Sequence, residues 1–240
     1  MDRRFFLGGL SGLLAAPLIS GAQEPARVER EPAGEAGEAN ARQRFFEPHR
    51  SGRDFWAGIR INLVLRRDNP NGSGTSIHEV SSREVFRSGD RIRFRVQPNT
   101  DGYVYVLSEN DGGSATLMFP LTADGPKANK LKAFEIAMAP RTDWLRFDNE
   151  PGVEPFRIFF SPKPIDTFEA LRKKKDATVG AHELLRLAAS LVPDEMDRIE
   201  EESHGGSVPA IYSIARLDSD SDALMDRFEL THRPARRVAR

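Results

Sequence analysis

The sequence predicts a mainly β protein, an antiparallel β-sandwich of immunoglobulin-like general architecture with a helical insertion before its last hairpin. Two observations carry this prediction. Short segments with alternating apolar and polar residues recur from residue 55 onward, as expected of strands, whose successive side chains point to opposite faces. Gly, Pro, Asn and Asp separate these segments at short intervals, which is typical of sandwiches.

The first predicted strands flank a loop rich in turn-forming residues. Residues 60–65 place Ile61, Leu63 and Leu65 on one face, and residues 69–74 form the loop. Residues 91–96 show the clearest alternation, with three apolar side chains on one face and three arginines on the other. We therefore expect this strand to have one buried face and one charged face.

The next segments predict a hairpin and a central strand. Asp101 and Gly102 are expected to form a tight turn with positive φ at the glycine. Residues 103–107 are apolar on both faces, which indicates a strand in the middle of a sheet. Pro120 is expected to end a strand that includes residues 117–119, because it lacks the N–H that a ladder needs.

The remaining segments predict short strands, then helices, then a last hairpin. The strands are expected at residues 134–138, 144–147 and 156–160, and the helical insertion at 165–204. Its helices are predicted at 167–175, 181–191 and 193–203. The third rests on Met196 and Ile199, which are three residues apart, and on Pro193 in the first turn. Residues 210–217 and 224–231 are expected to form the final hairpin.

Composition excludes several classes of protein. The 240 residues carry a net charge of -1, which does not favour a general binder of nucleic acids or membrane surfaces. No cysteine is present. Disulfides, thiolate metal sites and cysteine nucleophiles are therefore excluded.

The N-terminus predicts export. Arg3 and Arg4 precede an uncharged run and then small residues up to Ala22, the pattern of a cleavable signal peptide. The Arg pair followed by Phe-Phe-Leu resembles the twin-arginine export motif, with the Sec route as the alternative. The uncharged run is short and contains three glycines and Pro17, so no stable membrane span is expected once the signal is cleaved near Ala22.

The predicted organisation therefore has four parts, in a periplasmic or secreted protein. They are a signal peptide (1–22), a disordered linker rich in Glu, Ala, Gly, Arg and Pro (23–54), the sandwich domain (55–233) and a basic tail (234–240).

One acidic segment has the carboxylate spacing of a calcium loop. Side chains at positions 1, 3, 5, 9 and 12 match an EF-hand loop; they are Asp218, Asp220, Asp222, Asp226 and Glu229. Ala223 stands where the sharp turn needs Gly, and the preceding residues favour a strand over a helix. An Asp-rich turn is the preferred interpretation, with calcium binding left open.

Other candidate chemistry is weaker, and no catalytic, cofactor-binding or metal-binding residue is predicted. The histidines are scattered without metal-ligand spacing; they are His49, His78, His182, His204 and His232. No Gly-x-Ser-x-Gly elbow occurs. The arginines of residues 91–95 and the basic run 172–175 read as solvated surface. Four aromatic residues remain candidates for stacking on sugars: Trp56, Trp144, Tyr103 and Tyr105.

Several of these segments together resemble the bacterial family called domain of unknown function 4384. The resemblance rests on Ser88-Gly89-Asp90 before a strand and on residues 101–107 and 117–120. Asn129, residues 152–154 and residues 230–233 look like further family features. The similarity spans about 55–233 and is strongest over 85–161. It implies an exported, β-rich accessory module with no established activity, and residues 167–203 look least like the family.

We therefore expect an exported, non-catalytic binding or interaction module of the bacterial cell envelope, whose partner is an unidentified protein or envelope component and not a nucleic acid. The alternatives are a periplasmic hydrolase and a carbohydrate- or calcium-binding sandwich. A cleft in which His, Asp and Ser converge would favour the enzyme. Clustered exposed Trp and Tyr would favour sugar binding, and an exposed apolar patch would favour a partner.

Overall fold

The structure is a computed structural model that describes residues 42–46, 50–51, 54–69, 73–110, 112–174, 176–193, 196–201 and 208–234. The predicted signal peptide, residues 23–41 of the predicted linker and residues 235–240 of the predicted tail lie outside this part of the chain.

The described residues form three α-helices, one 3-10 helix (Thr122–Asp124) and fifteen strands. The helices are α1 (residues 42–46), α2 (Asp166–Leu171) and α3 (Ala181–Leu191). The strands are β1 (Arg50–Ser51), β2 (Asp54–Asp68), β3 (Thr75–Val80), β4 (Phe86–Arg87), β5 (Arg91–Pro98), β6 (Gly102–Glu109), β7 (Ala115–Phe119), β8 (Lys130–Leu131), β9 (Ala137–Ala139), β10 (Leu145–Arg146), β11 (Gly152–Ser161), β12 (Thr178–Val179), β13 (Met196–Glu201), β14 (Ala210–Leu217) and β15 (Leu224–Arg233).

The strands form two sheets. Sheet I has the order β10-β5-β2-β14-β13, with β1 and β3 also paired to β2 and β9 paired to β5. Sheet II has the order β12-β7-β6-β11-β15-β4, with β8 also paired to β6. The strand pairs are antiparallel except β15 with β4, which is parallel. The mainly β, antiparallel fold predicted from the alternating segments is confirmed.

The main core lies between the two sheets. Phe94 of sheet I contacts Phe156 and Phe228 of sheet II, with ring centroids 5.4 Å and 5.9 Å apart. The inward residues of β5 are all fully buried, as its alternation predicted. Two sheets packed face to face through interdigitated apolar side chains constitute a sandwich.

The outer face of sheet II is covered by the inserted helices. Phe168 of α2 contacts Phe159 and Tyr105, each at a ring-centroid distance of 5.1 Å. Leu184 of α3 and Val179 of β12 join the same buried cluster. Because both faces of β6 are buried, its nearly continuous apolar sequence is explained.

The part of the outer face of sheet I that is formed by β13 and β14 is covered by α1. Phe45 is fully buried against Tyr212, with the two rings 5.3 Å apart, and packs with Ile199 and Ala210. Residues 42–46, within the predicted linker 23–54, therefore form a helix that packs on the sandwich. A single aromatic side chain in a polar segment is enough to fix a short helix once a sheet offers it a pocket.

One predicted helix is wrong, because residues 196–201 form strand β13. Successive side chains alternate between the two faces of sheet I: Arg198 contacts Asp226 on one face, whereas Ile199 packs near Phe45 on the other. Met196 and Ile199 are three residues apart, which mimics a helical stripe, but they lie on opposite faces of a strand. The inserted region is therefore only partly helical, and residues 202–204 lie outside the described part of the chain.

Two connections predicted to be hairpins instead join the two sheets. The turn at Asp101 links β5 of sheet I to β6 of sheet II, and residues 218–223 link β14 of sheet I to β15 of sheet II. Gly102 does not adopt positive φ. The turn residues were located correctly, but local sequence does not specify whether the next strand pairs with the previous one.

Smaller differences concern the loops around sheet I. Residues 75–80, left unassigned by the sequence analysis, form β3 against β2. Of the strand predicted at 134–138, only its last two residues fall in the short β9. Pro120 directly follows β7, as predicted.

Candidate functional site

The carboxylates of the acidic segment with EF-hand-like spacing do not converge, and residues 218–223 form the Asp-rich turn that was the preferred interpretation. Asp222 accepts hydrogen bonds from the backbone N–H groups of Asp218 and Ser219, each at 2.9 Å, and so caps the turn. Asp220 forms an ion pair with Lys163 at 3.3 Å. The turn also borders an open cleft of about 520 Å³ beyond the end of α3.

The other two carboxylates of that loop lie on opposite faces of β15. Asp226 is 1% exposed and accepts a hydrogen bond from Arg198 Nε at 3.0 Å, with Ser213 as a further donor. Glu229 is exposed and pairs with Arg227 at 2.6 Å. Residues that are three apart on a strand point to opposite faces of the sheet. The EF-hand-like spacing therefore does not bring the carboxylates of Asp226 and Glu229 together as ligands of one ion.

The arginine stripe on β5 is used within sheet I. Arg91 pairs with Asp68 at 3.5 Å, Arg95 pairs with Glu79, and Arg93 donates to the backbone oxygen of Asp143 at 2.6 Å. In the basic run 172–175, the first residue, Arg172, pairs with Glu169 at 3.2 Å. These cations are partly satisfied by their own neighbours, as expected of a solvated sheet surface.

The four aromatic candidates for sugar stacking serve different parts of the fold. Tyr105 is fully buried under α2, and the guanidinium of Arg44 covers Trp56 at 4.4 Å. Arg93 lies over Trp144 at 4.4 Å. These side chains do not form one exposed platform.

A different aromatic group, which the sequence analysis did not identify, reaches the surface around α1. We call it the aromatic patch and define it as Phe45, Phe46, Phe134 and Tyr212. The buried Phe45 ring lies 5.1 Å from Phe46 and 6.0 Å from Phe134. Phe46 is 49% exposed and Phe134 is 41% exposed. Two rings are thus held at the surface by a third ring beneath them.

The backbone at Phe134 is strained. Its φ is +61°, in the left-handed region that bulky side chains rarely adopt. Its N–H donates to the carbonyl of Pro98 at 2.7 Å, and its own carbonyl accepts from Gln97 at 3.0 Å. These bonds hold the residue in a conformation that costs on the order of 1–3 kcal/mol and that occurs preferentially at functional sites.

A second group of polar residues meets at the end of sheet II. His232 of β15 lies with Nε2 3.1 Å from the hydroxyl of Ser88, and with Nδ1 3.5 Å from a carboxylate oxygen of Glu154. Asp148 completes the group: ligand atoms of Asp148, Glu154 and His232 lie within 4.8 Å of one another. We call these three residues the His232 cluster.

The turn at residues 88–90 organises this cluster. The N–H of Gly89 donates to the carbonyl of Phe147 at 3.0 Å, and the N–H of Phe147 donates to the carbonyl of Asp90 at 3.0 Å. These two bonds position the segment that carries Asp148. The buried carboxylate of Asp90 is in turn fixed by Arg67, at 2.7 Å. Residues 88–90 therefore help to position the His232 cluster, and they also lead directly into β5.

Ser88, His232 and Glu154 follow one another in the order of a Ser-His-Glu triad. Ser88, however, does not line the cavity next to Glu154. A cavity of about 100 Å³ is lined by Asp148 and Glu154 together with Phe147, Arg146 and other residues, and Ser88 is not part of its lining. A substrate in this cavity would meet the carboxylates and Ser108, and not the Ser88 hydroxyl that lies beside His232.

Sequence spacing gave no signal for either group, because their members are far apart in the chain. His232 lies 78 residues beyond Glu154, and Phe134 lies 88 residues beyond Phe46. Pairing of β11 with β15 brings His232 opposite Gly152, so Glu154 and His232 are diagonal neighbours on one face. Knowledge of that strand register would have been sufficient to find the pair.

Comparison with known proteins confirms the family resemblance over part of the chain. Residues 85–164 match the family described as domain of unknown function (DUF4384). The match includes Ser88, Asp148 and Glu154 and ends before α2, so the inserted helices and His232 are outside it. Neither the curated proteins nor the solved structures gave a match. Within the described part of the chain, no helix has both the length and the apolarity needed to cross a membrane.

Proposed function

We propose that the protein is an exported, non-catalytic interaction module of the bacterial cell envelope, and that it binds a protein partner through the aromatic patch. The observation that carries this proposal is the pair of half-exposed rings, Phe46 and Phe134, held by the buried Phe45. The signal-like N-terminus, with Arg3 and Arg4 before an uncharged run, supports export to the periplasm.

The patch has the composition of a binding surface. Aromatic rings bury a large area at a small entropic cost and are enriched at the centres of protein interfaces. Charged residues surround them: Arg42 pairs with Glu201 at 3.2 Å, and Arg44 pairs with Asp197 at 2.7 Å. An apolar centre with a paired, solvated rim fits a partner that presents apolar side chains and tolerates a polar border.

The patch is also preorganised. The ion pairs of α1 with β13 and the burial of Phe45 fix Phe46, and backbone hydrogen bonds fix Phe134. A partner would therefore immobilise few new degrees of freedom at this surface, which favours affinity. A binding role for Phe134 accounts for its strained φ, because glycine would adopt this φ without strain but would not provide an aromatic ring.

Site-specific photo-crosslinking in living cells tests this proposal. A photoreactive phenylalanine analogue at position 46 is expected to form a discrete adduct with one protein in the periplasm. The same analogue at position 185 is the matched control, because Leu185 is also exposed, at 62%, but lies on α3, which covers the other sheet. Equal adducts from both positions, or none from position 46, would contradict the proposal.

Substitutions then measure the contribution of the patch to affinity for the protein identified in the adduct. Phe46→Ser is expected to weaken the complex by about 2 kcal/mol, roughly 30-fold in Kd, as for an aromatic residue at the centre of an interface. Leu185→Ser is expected to leave Kd unchanged. Calorimetry measures both, and comparable unfolding curves for the two variants establish that the fold is intact.

A further inference from the structure

The side chain of His232 is buried with one nitrogen unsatisfied. The residue is 2% exposed, and Nδ1 has no hydrogen-bond partner among the described residues. Burying a polar nitrogen without a hydrogen-bond partner costs free energy, because the nitrogen loses its bonds to water and gains none in return. Such atoms are rare in folded proteins and call for an explanation.

The other nitrogen is occupied in a way that fixes the ring. Nε2 lies 3.1 Å from the hydroxyl of Ser88, whose own N–H donates to the carbonyl of Arg233 at 3.0 Å. The ring of Phe147 lies against the imidazole, with centroids 5.2 Å apart. When Nε2–H donates to Ser88, the tautomer leaves the Nδ1 lone pair directed at carboxylates, where it has no proton to offer.

Two carboxylates face this lone pair at coordination spacing. A tetrahedral metal with bonds of about 2.0–2.1 Å holds its ligand atoms roughly 3.4 Å apart, and Nδ1 lies 3.5 Å from the Glu154 oxygen. A ligand oxygen of exposed Asp148 lies within 4.8 Å of the other two ligand atoms. Its Oδ1 accepts from the N–H of Glu150 at 2.7 Å, which leaves Oδ2 as the oxygen to bind a metal. No ion pair joins the nearby Arg146 to either carboxylate within the described part of the chain.

We propose that Asp148, Glu154 and His232 bind a divalent transition-metal ion, with zinc preferred. Imidazole nitrogen with carboxylate oxygens suits zinc and disfavours magnesium and calcium, which take oxygen ligands. The Ser88 hydroxyl acts on the far side of the ring as the outer partner that orients a metal-bound histidine. The two carboxylates, though not His232, also line a cavity of about 100 Å³, which gives water access to their side of the site for a fourth ligand.

This site is independent of the aromatic patch. The His232 cluster lies at the end of sheet II, where β11 pairs with β15, whereas the patch surrounds α1 on sheet I. Loss of either function by substitution leaves the residues of the other unchanged.

Metal binding is tested on the protein without an affinity tag, after removal of bound metal with a chelator. Calorimetric titration with zinc is expected to show one ion per chain, and the melting temperature is expected to rise with zinc concentration. Magnesium and calcium at the same concentration are expected to have no effect. Absence of stoichiometric zinc binding, or a response to calcium or magnesium in its place, overturns the proposal.

Isosteric substitutions locate the ion. Asp148→Asn and Glu154→Gln are each expected to weaken zinc binding by more than about tenfold, whereas Glu150→Gln, which changes an exposed neighbouring carboxylate, is the matched control. Zinc binding that survives both substitutions unchanged indicates adventitious binding at another histidine and overturns the assignment.

Nitrogen NMR of the His232 ring gives a readout that needs no variant. The proposal predicts a large shift of the Nδ1 resonance on adding zinc, because Nδ1 is the ligand atom, and no such shift with magnesium or calcium. An Nδ1 resonance that does not respond to zinc identifies a hydrogen-bonded contact with Glu154 and overturns the proposal.

Discussion

Gly102 occupies a position where no side chain fits. A Cβ built there would lie 2.5 Å from Cε2 of Phe160 and 2.7 Å from the carbonyl oxygen of Ser161. Real Cβ contacts are longer, so either the aromatic ring or the backbone of β11 would have to move. The glycine is therefore required by the close approach of β6 to β11, and not by the geometry of a turn.

Gly102→Ala is accordingly expected to reduce the free energy of unfolding by about 3 kcal/mol, the upper range for overpacking a core. Gly89→Ala is the matched control. Gly89 has φ +91° but open space around it, so its cost of about 1–2 kcal/mol arises only from backbone conformation. Urea denaturation measures both. A Gly102→Ala variant as stable as Gly89→Ala would contradict the steric argument.

At the scale of elements, a buried polar network fastens α2 to sheet II. The hydroxyl of Tyr105 donates to Glu169 at 2.9 Å and accepts from the N–H of Ile165 at 3.0 Å. Asn129 also donates to Glu169, at 3.0 Å. Burial raises the pKa of Tyr105, which keeps its hydroxyl protonated as a donor.

The same network affects Glu169. Burial alone would raise the pKa of its carboxyl, but the hydrogen bonds from Asn129, Tyr105 and Arg172 outweigh burial and hold it below the ordinary value. A carboxyl with a lowered folded pKa stabilises the fold above its unfolded pKa and loses that contribution as the pH falls through the folded pKa. Attachment of α2 is therefore expected to weaken in acid.

Tyr105→Phe tests the network. It leaves the buried N–H of Ile165 without a partner and removes one of the two hydrogen bonds to Oε1 of Glu169, which keeps the bond from Asn129, so we expect a loss of about 1–3 kcal/mol in the free energy of unfolding. Tyr103→Phe is the control, because Tyr103 lies on the same face of β6 but outside this network, with its ring 5.7 Å from Nζ of Lys130; its change is expected to be below about 0.5 kcal/mol. Equal effects would show that the network does not contribute to stability.

At the scale of the whole molecule, one buried acid connects the two sheets. Asp226 belongs to β15 of sheet II, and its partners Arg198 and Ser213 belong to β13 and β14 of sheet I. Burial raises the pKa of Asp226 despite the opposing effects of Arg198 and Ser213. The folded state therefore binds a proton at pH values where the unfolded chain has lost it.

The pH dependence of unfolding follows from that direction. The raised pKa of Asp226 adds a contribution to the free energy of unfolding that is fully present below the unfolded pKa, about 3.9. This contribution is lost as the pH rises through the raised folded pKa, where Asp226 loses its proton. The stability difference between the wild-type protein and Asp226→Asn is therefore expected to shift against the wild type across this window, by about 1.4 kcal/mol per unit of pKa difference. Asp220→Asn is the control for loss of an exposed charge, and urea denaturation between about pH 3 and 7 measures it. A pH-independent difference contradicts the assignment.

Prediction from sequence succeeded where the signal was local. Alternation over residues 91–96 identified β5, and the apolar stripe of α3 identified that helix. It failed at β13, because Met196 and Ile199 fit a helical period as well as a strand with two covered faces. Which faces are covered depends on α1 and on Asp226, which are remote in sequence.

The fold class, the family resemblance over residues 85–164 and the positions of the turns can be read from the sequence alone, because hydrophobic periodicity and turn chemistry are properties of neighbouring residues. Only the tertiary structure decided that the turns after β5 and β14 pass between sheets, that Gly102 serves a close contact, and that Phe46 meets Phe134 and Glu154 meets His232. Those pairings depend on strand order and register, which are set by packing between residues far apart in the chain.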